Sequence, residues 1–504
     1  MEKDEKLGVY AEHTIYDAVI EQSAELDCVV PDYCPEVFRT LSCSLSPRIL
    51  SYAVSSDGKL TIDGEIFIRA VYASENGGEF CCVSGRNSFS KAVAIGEFAD
   101  DIRFSVCEDY CSCRAVSPRR IDVRGTILIG IKAFGCSRVN MPEIPEKLEL
   151  KTEEISCAGK PIFSLKKQVI REEIDTGASG IAFIIDSSAV PKITDLRVVA
   201  DKAVLKGVIC VEALYGLAQA ESAACTNAEK MTAEIPVSAI LDVTGISDEF
   251  TAIPSVSVLS CELIPRTDSG VMSCEITAEC SVKAASENKI RIALDAYSTD
   301  YETETATGKI KLGTVPKPLS QTLQLKLTAK PDEEISAVWD CRAEIKNAAV
   351  KATNGELIIS GLLRCKTFGK NESGAVFCID KQEPFEKTLL SGVSENCSAN
   401  FCAKVSGTNF AILPDNSLEI TAMCDVSGDM RDMISAQTLS SVKILEDKPK
   451  QKDSEYALRI CYADEPKDCW EVAKEYNTTV SALLEENNVN DEHKLEGMIV
   501  VPTV

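Results

Sequence analysis

The sequence predicts a mainly β chain: three tandem β-sandwich or barrel-like domains followed by a small βααβ domain. Three observations carry that prediction. A glycine-centred strand occurs three times, a second strand signature follows it, and near the C-terminus the apolar spacing changes from two residues to three and four. At 504 residues the chain is also longer than one hydrophobic core supports.

The glycine strands read LTIDGEIFIRAVY, AVLKGVICVEALY and LIISGLLRCKTF, centred on Gly64, Gly207 and Gly361. Two residues before the glycine stand Ile62, Leu205 and Ile359. Two after it come Ile66, Ile209 and Leu363, and four after it Ile68, Val211 and Cys365. Alternation of this kind is the period of a half-buried strand. A glycine inside such a strand marks a bulge or a close backbone approach. Downstream, EITAECSV from Glu275 returns as EITAMCDV from Glu419, and DVRGTILI from Asp122 takes the same place in the first repeat.

The expected division is an N-terminal segment 1–24, β domains at 25–137, 178–300 and 320–432, and a connector 138–177 with room for an edge strand. The stretch 446–455, EDKPKQKDSE, buries too little apolar area to fold and reads as a solvated linker. Helix-length patterns for βαβ crossovers are missing, so a parallel sheet is not expected. Stacked in tandem, the β domains predict a stiff, extended, acidic body.

A formal net charge of −25 opposes binding to a phosphate backbone, which needs clustered Lys and Arg. No apolar run reaches the roughly 18–20 residues that span a bilayer. No apolar region follows Met1, so the expected location is cytoplasmic. The 23 cysteines then read as reduced thiols, and Cys210, Cys280, Cys365 and Cys424 fall inside strand patterns as small hydrophobes. Cys107, Cys111 and Cys113 lack metal-site spacing. With only His13 and His493, a Ser-His or Cys-His catalytic pair is not expected. Nucleotide, hydrolase and metalloprotease motifs are missing too, which predicts a non-catalytic protein without cofactor or metal.

The C-terminal stretch changes pattern. YALRICYA alternates as a strand, and Asp468 is placed to cap a helix, accepting from the N3 amide while Glu471 reaches back. Cys469, Val472, Ala473 and Tyr476 then form one helix face. Asn477 suits the left-handed position that ends it. Thr479 caps a second helix carrying Val480, Leu483, Leu484 and Asn487, and LEGMIVVP supplies a turn glycine, Gly497, a strand and Pro502. This module is expected over 456–504.

Two resemblances follow from these residues. QVIREEIDTG and SAVPKITDLRVVADKAVLKGVICVEALY, in the second repeat, resemble the SPOCS domain of sporulating bacteria, and LDCVVPDYCPEVFRTL is similar to the entry of such domains. WEVAKEYNTTVSALLEENNV resembles the Trp-x-[Ile/Val]-Ala-x-x-Tyr core of a LysM module. LysM modules usually hold N-acetylglucosamine polymers between the loop before helix one and the loop after helix two. The resemblance assigns a partner or glycan groove to Tyr462, Lys467, Asp468, Trp470 and Asn490. Here PKDCW replaces the usual Gly-Asp-Thr, losing the glycine and adding Lys467, which implies a module turned from sugar to protein recognition. Trp470 reads equally as part of the module's core and as an anchor on its binding face.

Together, SPOCS-like repeats and a LysM module resemble the SipL-type spore-coat morphogenesis proteins of clostridia. The resemblance implies a scaffold in the mother-cell cytoplasm, at the forespore surface. Its LysM module would engage a coat morphogenetic ATPase similar to stage IV sporulation protein A, and the scaffold would recruit other coat proteins. The alternative is a cortex or cell-wall protein that binds N-acetylglucosamine polymers.

Overall fold

The computed structural model describes residues 9–75, 77–139, 141–145, 147–219, 223–266, 269–451, 458–489 and 494–503. It is mainly β, with no closed barrel among the described residues. The first unit holds β1 (Tyr10–Val29), β2 (Arg39–Val54), β3 (Lys59–Ala73), β4 (Phe80–Ala94), β5 (Asp101–Ser117) and β6 (Arg120–Arg138). β6 is flanked by β1 and β5 in one antiparallel sheet, and β3 by β2 and β4 in another. The two sheets enclose one core that includes Leu45, Ile62, Ile66, Ile68, Ile127 and Ile129.

The same order returns twice. After β7 (Glu149–Ala158) come β8 (Ile162–Asp175), β9 (Ile181–Val199), β10 (Lys202–Leu217), β11 (Ala228–Asp242), β12 (Thr251–Pro265) and β13 (Val271–Ala285). β13 sits between β8 and β12, and β10 between β9 and β11. After β14 (Glu287–Tyr297) and β15 (Tyr301–Gly313) come β16 (Lys317–Ala329), β17 (Ile335–Thr353), β18 (Glu356–Asn371), β19 (Val376–Ser391), β20 (Cys397–Ile412) and β21 (Leu418–Pro449). β21 sits between β16 and β20, and β18 between β17 and β19. The EITAECSV and EITAMCDV signatures are the central strands β13 and β21 of their sheets.

The repeated glycines occupy equivalent central strands, β3, β10 and β18, each opposite an irregularity in the strand before it. A Cβ on Gly207 would stand 2.5 Å from the Lys192 carbonyl oxygen, and one on Gly361 3.1 Å from the Lys346 carbonyl oxygen and from the Phe385 ring. At Gly64 it would collide with the Phe89 ring and the Arg48 carbonyl. Any side chain there would have to push the bulged neighbour away.

The units do not form an extended body. Seven residues after each glycine stand Val71, Leu214 and Phe368, and all three lie in one buried cluster. Phe80, Ala228 and Val376, the first residues of β4, β11 and β19, join them. So do Leu41, Ile185 and Trp339, the bulged residues of β2, β9 and β17. Equivalent positions of all three copies thus converge, and the chain folds into one ring of three rather than the expected rod. Main-chain bonds reinforce the junction: Phe80 and Cys225 exchange N–H···O bonds of 2.9 and 2.8 Å, and Val376 N donates to Gly77 O at 2.9 Å. Ion pairs also cross between units, with Arg342 to Asp186 at 3.0 Å, Lys230 to Asp340 at 3.2 Å, and Arg364 to Glu108.

Several boundaries differ from the sequence reading, because ladder pairing reaches across low-complexity stretches. β1 begins at Tyr10, inside the expected N-terminal segment, and the expected connector 138–177 holds β7 and β8. β7 pairs with β14, and β15 pairs with the distal half of β21, which extends through the first residues of the expected linker to Pro449. Residues 452–455 of that linker lie outside the described residues. The segments between units therefore meet one another. They form a hub whose core includes Val9, Ile155, Cys157, Ile290, Ile292 and Leu312. All 23 cysteines are free thiols, and of these only Cys402 is exposed.

Glu12 of the first unit touches cations of both others: Lys283 of the second, and Arg431 of the third at 2.7 Å. Burial pushes its carboxyl up, but the Arg431 hydrogen bond and the Lys283 and Arg431 charges outweigh it and bring the pKa from 4.5 to about 2. A folded-state pKa below the unfolded one means that ionised Glu12 stabilises the fold above pH 4.5, and that the contribution fades as pH falls toward 2. Glu12→Gln should cost about 3 kcal/mol at neutral pH. The gap from wild type, read by urea denaturation, should close between pH 4.5 and 2. A gap that does not change with pH would contradict this role.

Candidate functional site

The chain ends in β22 (Leu458–Lys467), α1 (Cys469–Glu475), α2 (Val480–Asn487) and β23 (Leu495–Pro502), with β22 and β23 paired antiparallel. Asp468 caps α1 by accepting from the Trp470 amide at 2.8 Å, one position earlier than expected. Asn477 adopts the left-handed conformation at φ 56°, and Thr479 caps α2 by accepting from Ala482 N at 3.1 Å. Cys469, Val472, Ala473 and Leu483 are buried with Ala463, Leu495, Ile499 and Val501. Asn487 ties α2 to β23. Its Nδ2 donates to Leu483 O and Val500 O at 2.7 and 2.6 Å, and its Oδ1 accepts from Val500 N at 2.7 Å.

The module is docked on the hub through the α1 end. Trp470 is buried, with its ring 4.9 Å from Tyr297 of β14 in an edge-on arrangement. Its Nε1 donates to Asp295 Oδ2 at 2.9 Å, and Lys474 Nζ donates to the same oxygen at 2.6 Å. Tyr297 Oη donates to Thr478 O at 2.6 Å, and Lys151 Nζ of β7 donates to Asp468 Oδ2 at 2.9 Å. Lys450 Nζ bridges Ser298 O and Asn477 Oδ1 at 2.8 and 2.6 Å. Burial pushes the Asp295 carboxyl up, but its bonds from Lys474 and Trp470 hold it below the usual carboxylate range. The Lys151 bond lowers Asp468 against the same opposing effect.

The sequence-derived site residues separate accordingly. Asp468 and Trp470 face the hub. Tyr462 lies on the outer face of the β22–β23 sheet, 73% exposed, opposite Met498 at 65%. Ile460 and Leu458, two and four residues earlier on the same face, are 69% and 48% exposed. Lys467 is exposed at the last pair of the sheet, opposite Leu495. Asn490 and His493 lie outside the described residues. Sequence reasoning missed Lys151, Asp295 and Tyr297, which sit in segments read as connector and domain edge; no local pattern marks them. It also missed the apolar outer face, although Leu458, Ile460 and Tyr462 alternate in the sequence.

Elsewhere, a cleft of about 510 Å³ opens between β16 and β19 beside Lys326, Glu383 and Phe385. Glu12, Asp186 and Asp380, also held low by neighbouring cations against the opposing effect of burial, belong to ion-pair networks that reach across the unit junctions. Among the described residues no cluster of His, Cys, Asp and Glu is placed to hold a metal ion, and no helix is long and apolar enough to cross a membrane.

Fold and site together define a multi-unit β protein with a small C-terminal module, one face of which is apolar and exposed among the described residues. Within it, residues 181–264 match the family model SipL, described as the SipL SPOCS domain. The match runs from the first residue of β9 into β12, and it points to a sporulation-related protein of SipL type. No curated protein and no solved structure matches the chain.

Asn487→Ala removes three hydrogen bonds and leaves Val500 N–H unpaired, so it should cost the module about 2–3 kcal/mol. Hydrogen exchange over 480–487 and 495–502 should accelerate, while the three six-stranded units keep their protection. Equal acceleration everywhere would show that the module does not open separately.

Proposed function

We propose that the chain is a non-catalytic scaffold of endospore formation, acting in the mother-cell cytoplasm at the forespore surface. Its C-terminal module is LysM-like and captures the coat morphogenetic ATPase, similar to stage IV sporulation protein A, while the acidic β body recruits other coat proteins. The observation that carries the reading is the SipL SPOCS match over 181–264.

The capture surface is the outer face of the β22–β23 sheet. Leu458, Ile460, Tyr462 and Met498 form an exposed apolar patch on a protein whose other large side chains mostly pack inward. Four such side chains offer one hydroxyl between them, which suits an apolar protein surface better than a sugar chain that must be hydrogen-bonded. Of the groove residues assigned by the LysM resemblance, Asp468 and Trp470 are engaged by Lys151 and Asp295 of this chain, while Tyr462 and Lys467 are exposed.

The test is co-purification of the ATPase with full-length protein and with a Tyr462→Ser/Met498→Ser variant. Capture should fall at least about tenfold, a loss of one well-packed apolar anchor, with the circular dichroism melt near wild type. Undiminished capture would rule out this face. Retention of the wild-type chain on insoluble peptidoglycan or chitin, without ATPase capture, would favour the glycan reading.

A further inference from the structure

The hub-facing side of the module has the anatomy of a peptide-binding site. At the end of β14 an irregularity at Leu294 shifts the register between Ala293 and Asp295. A bulge of this kind re-aims the residues that follow. Asp295 and Tyr297, two residues apart, point to one side of the strand, and that side is the module. The carboxylate is read by two donors, the Trp470 indole N–H and the Lys474 ammonium. The tyrosine is read by the Trp470 ring and by the Thr478 carbonyl that accepts its hydroxyl. Tyr297 is so completely enclosed that it belongs to the module's own core. Separate contacts for alternate side chains of an extended segment are one way in which such a segment is recognised specifically.

We infer that the α1 face of the module is a peptide-binding site for an extended segment carrying a carboxylate and a tyrosine two residues apart, and that it is filled in cis by Asp295–Ala296–Tyr297. The module is thereby a clasp. It holds β14, which follows the second unit, and through Lys151 it holds β7, which follows the first. The strands it grips are those that link the ring's units, and the α1 loop that the LysM resemblance assigns to glycan is closed by the chain itself. This site is separate from the sheet face assigned to the ATPase, so either reading can fail alone.

The test is hydrogen exchange on the full-length chain. In Asp295→Ala/Tyr297→Ala, exchange over 469–475 should rise at least about tenfold while the cores of the three units keep wild-type protection. Tyr297→Phe, which loses only the hydroxyl, should rise by a smaller factor, and Lys474→Ala tests the carboxylate from the module's side. A synthetic peptide spanning Arg291–Asp300, added at millimolar concentration to the double variant, should restore protection of 469–475. The same peptide with Asp295 and Tyr297 replaced by Ala should not. Wild-type exchange in all three variants would overturn the clasp. A released module that ignores the native peptide would overturn the recognition site and leave only packing.

Discussion

The structure depends on one buried junction. Val71, Leu214 and Phe368 meet there from the three copies, with Phe80, Ala228, Val376 and the bulged Leu41, Ile185 and Trp339. Because these positions are equivalent, each six-stranded unit contributes the same corner, and the remaining apolar area is buried by the neighbours. A single unit would expose that corner to water at a cost of roughly 25 cal/mol per Å² of apolar surface. The chain thus behaves as three copies of one piece whose lowest-energy arrangement is a ring. Once the ring closes, the segments between units are drawn together, and the hub and the clasped module follow from that.

Charge then fixes the arrangement that apolar burial permits. Glu108 with Arg364, Asp186 with Arg342, and Glu12 with Lys283 and Arg431 all bridge units at low exposure. Such pairs gain little net stability, since desolvation offsets much of the attraction. Separating the units would, however, leave several unpaired charges in partly apolar surroundings, so misassembled arrangements are penalised more than the native one is favoured. The equivalent positions are not identical: five residues after the glycines stand Arg69, Glu212 and Lys366. That divergence lets a repeated fold specify one order of its copies.

Much of the local structure was legible in the sequence. Alternation around Gly64, Gly207 and Gly361 located three central strands, and the glycines mark the close approach expected of them, with carbonyls of the bulged neighbours beside each. The caps at Asp468 and Thr479 and the left-handed Asn477 were readable because capping is set within a few residues. What was not legible is pairing at long range. Glu149 lies opposite Tyr297, and Tyr301 opposite Pro449, in stretches whose own composition reads as connector or linker. Trp470 read equally as core or as anchor from its own helix. Its partner on β14 is distant in sequence, so only the fold shows that Trp470 grips this chain.

The central claim, that equivalent corners of three repeats close into one body, is tested most directly by small-angle X-ray scattering of the monomeric full-length chain. A compact chain of 504 residues has a radius of gyration of about 23–25 Å, and that is the value expected here. Three strand-length units placed end to end would exceed about 35 Å. A value in that higher range, in dilute solution at neutral pH, would contradict the ring and return the molecule to a rod of independent domains.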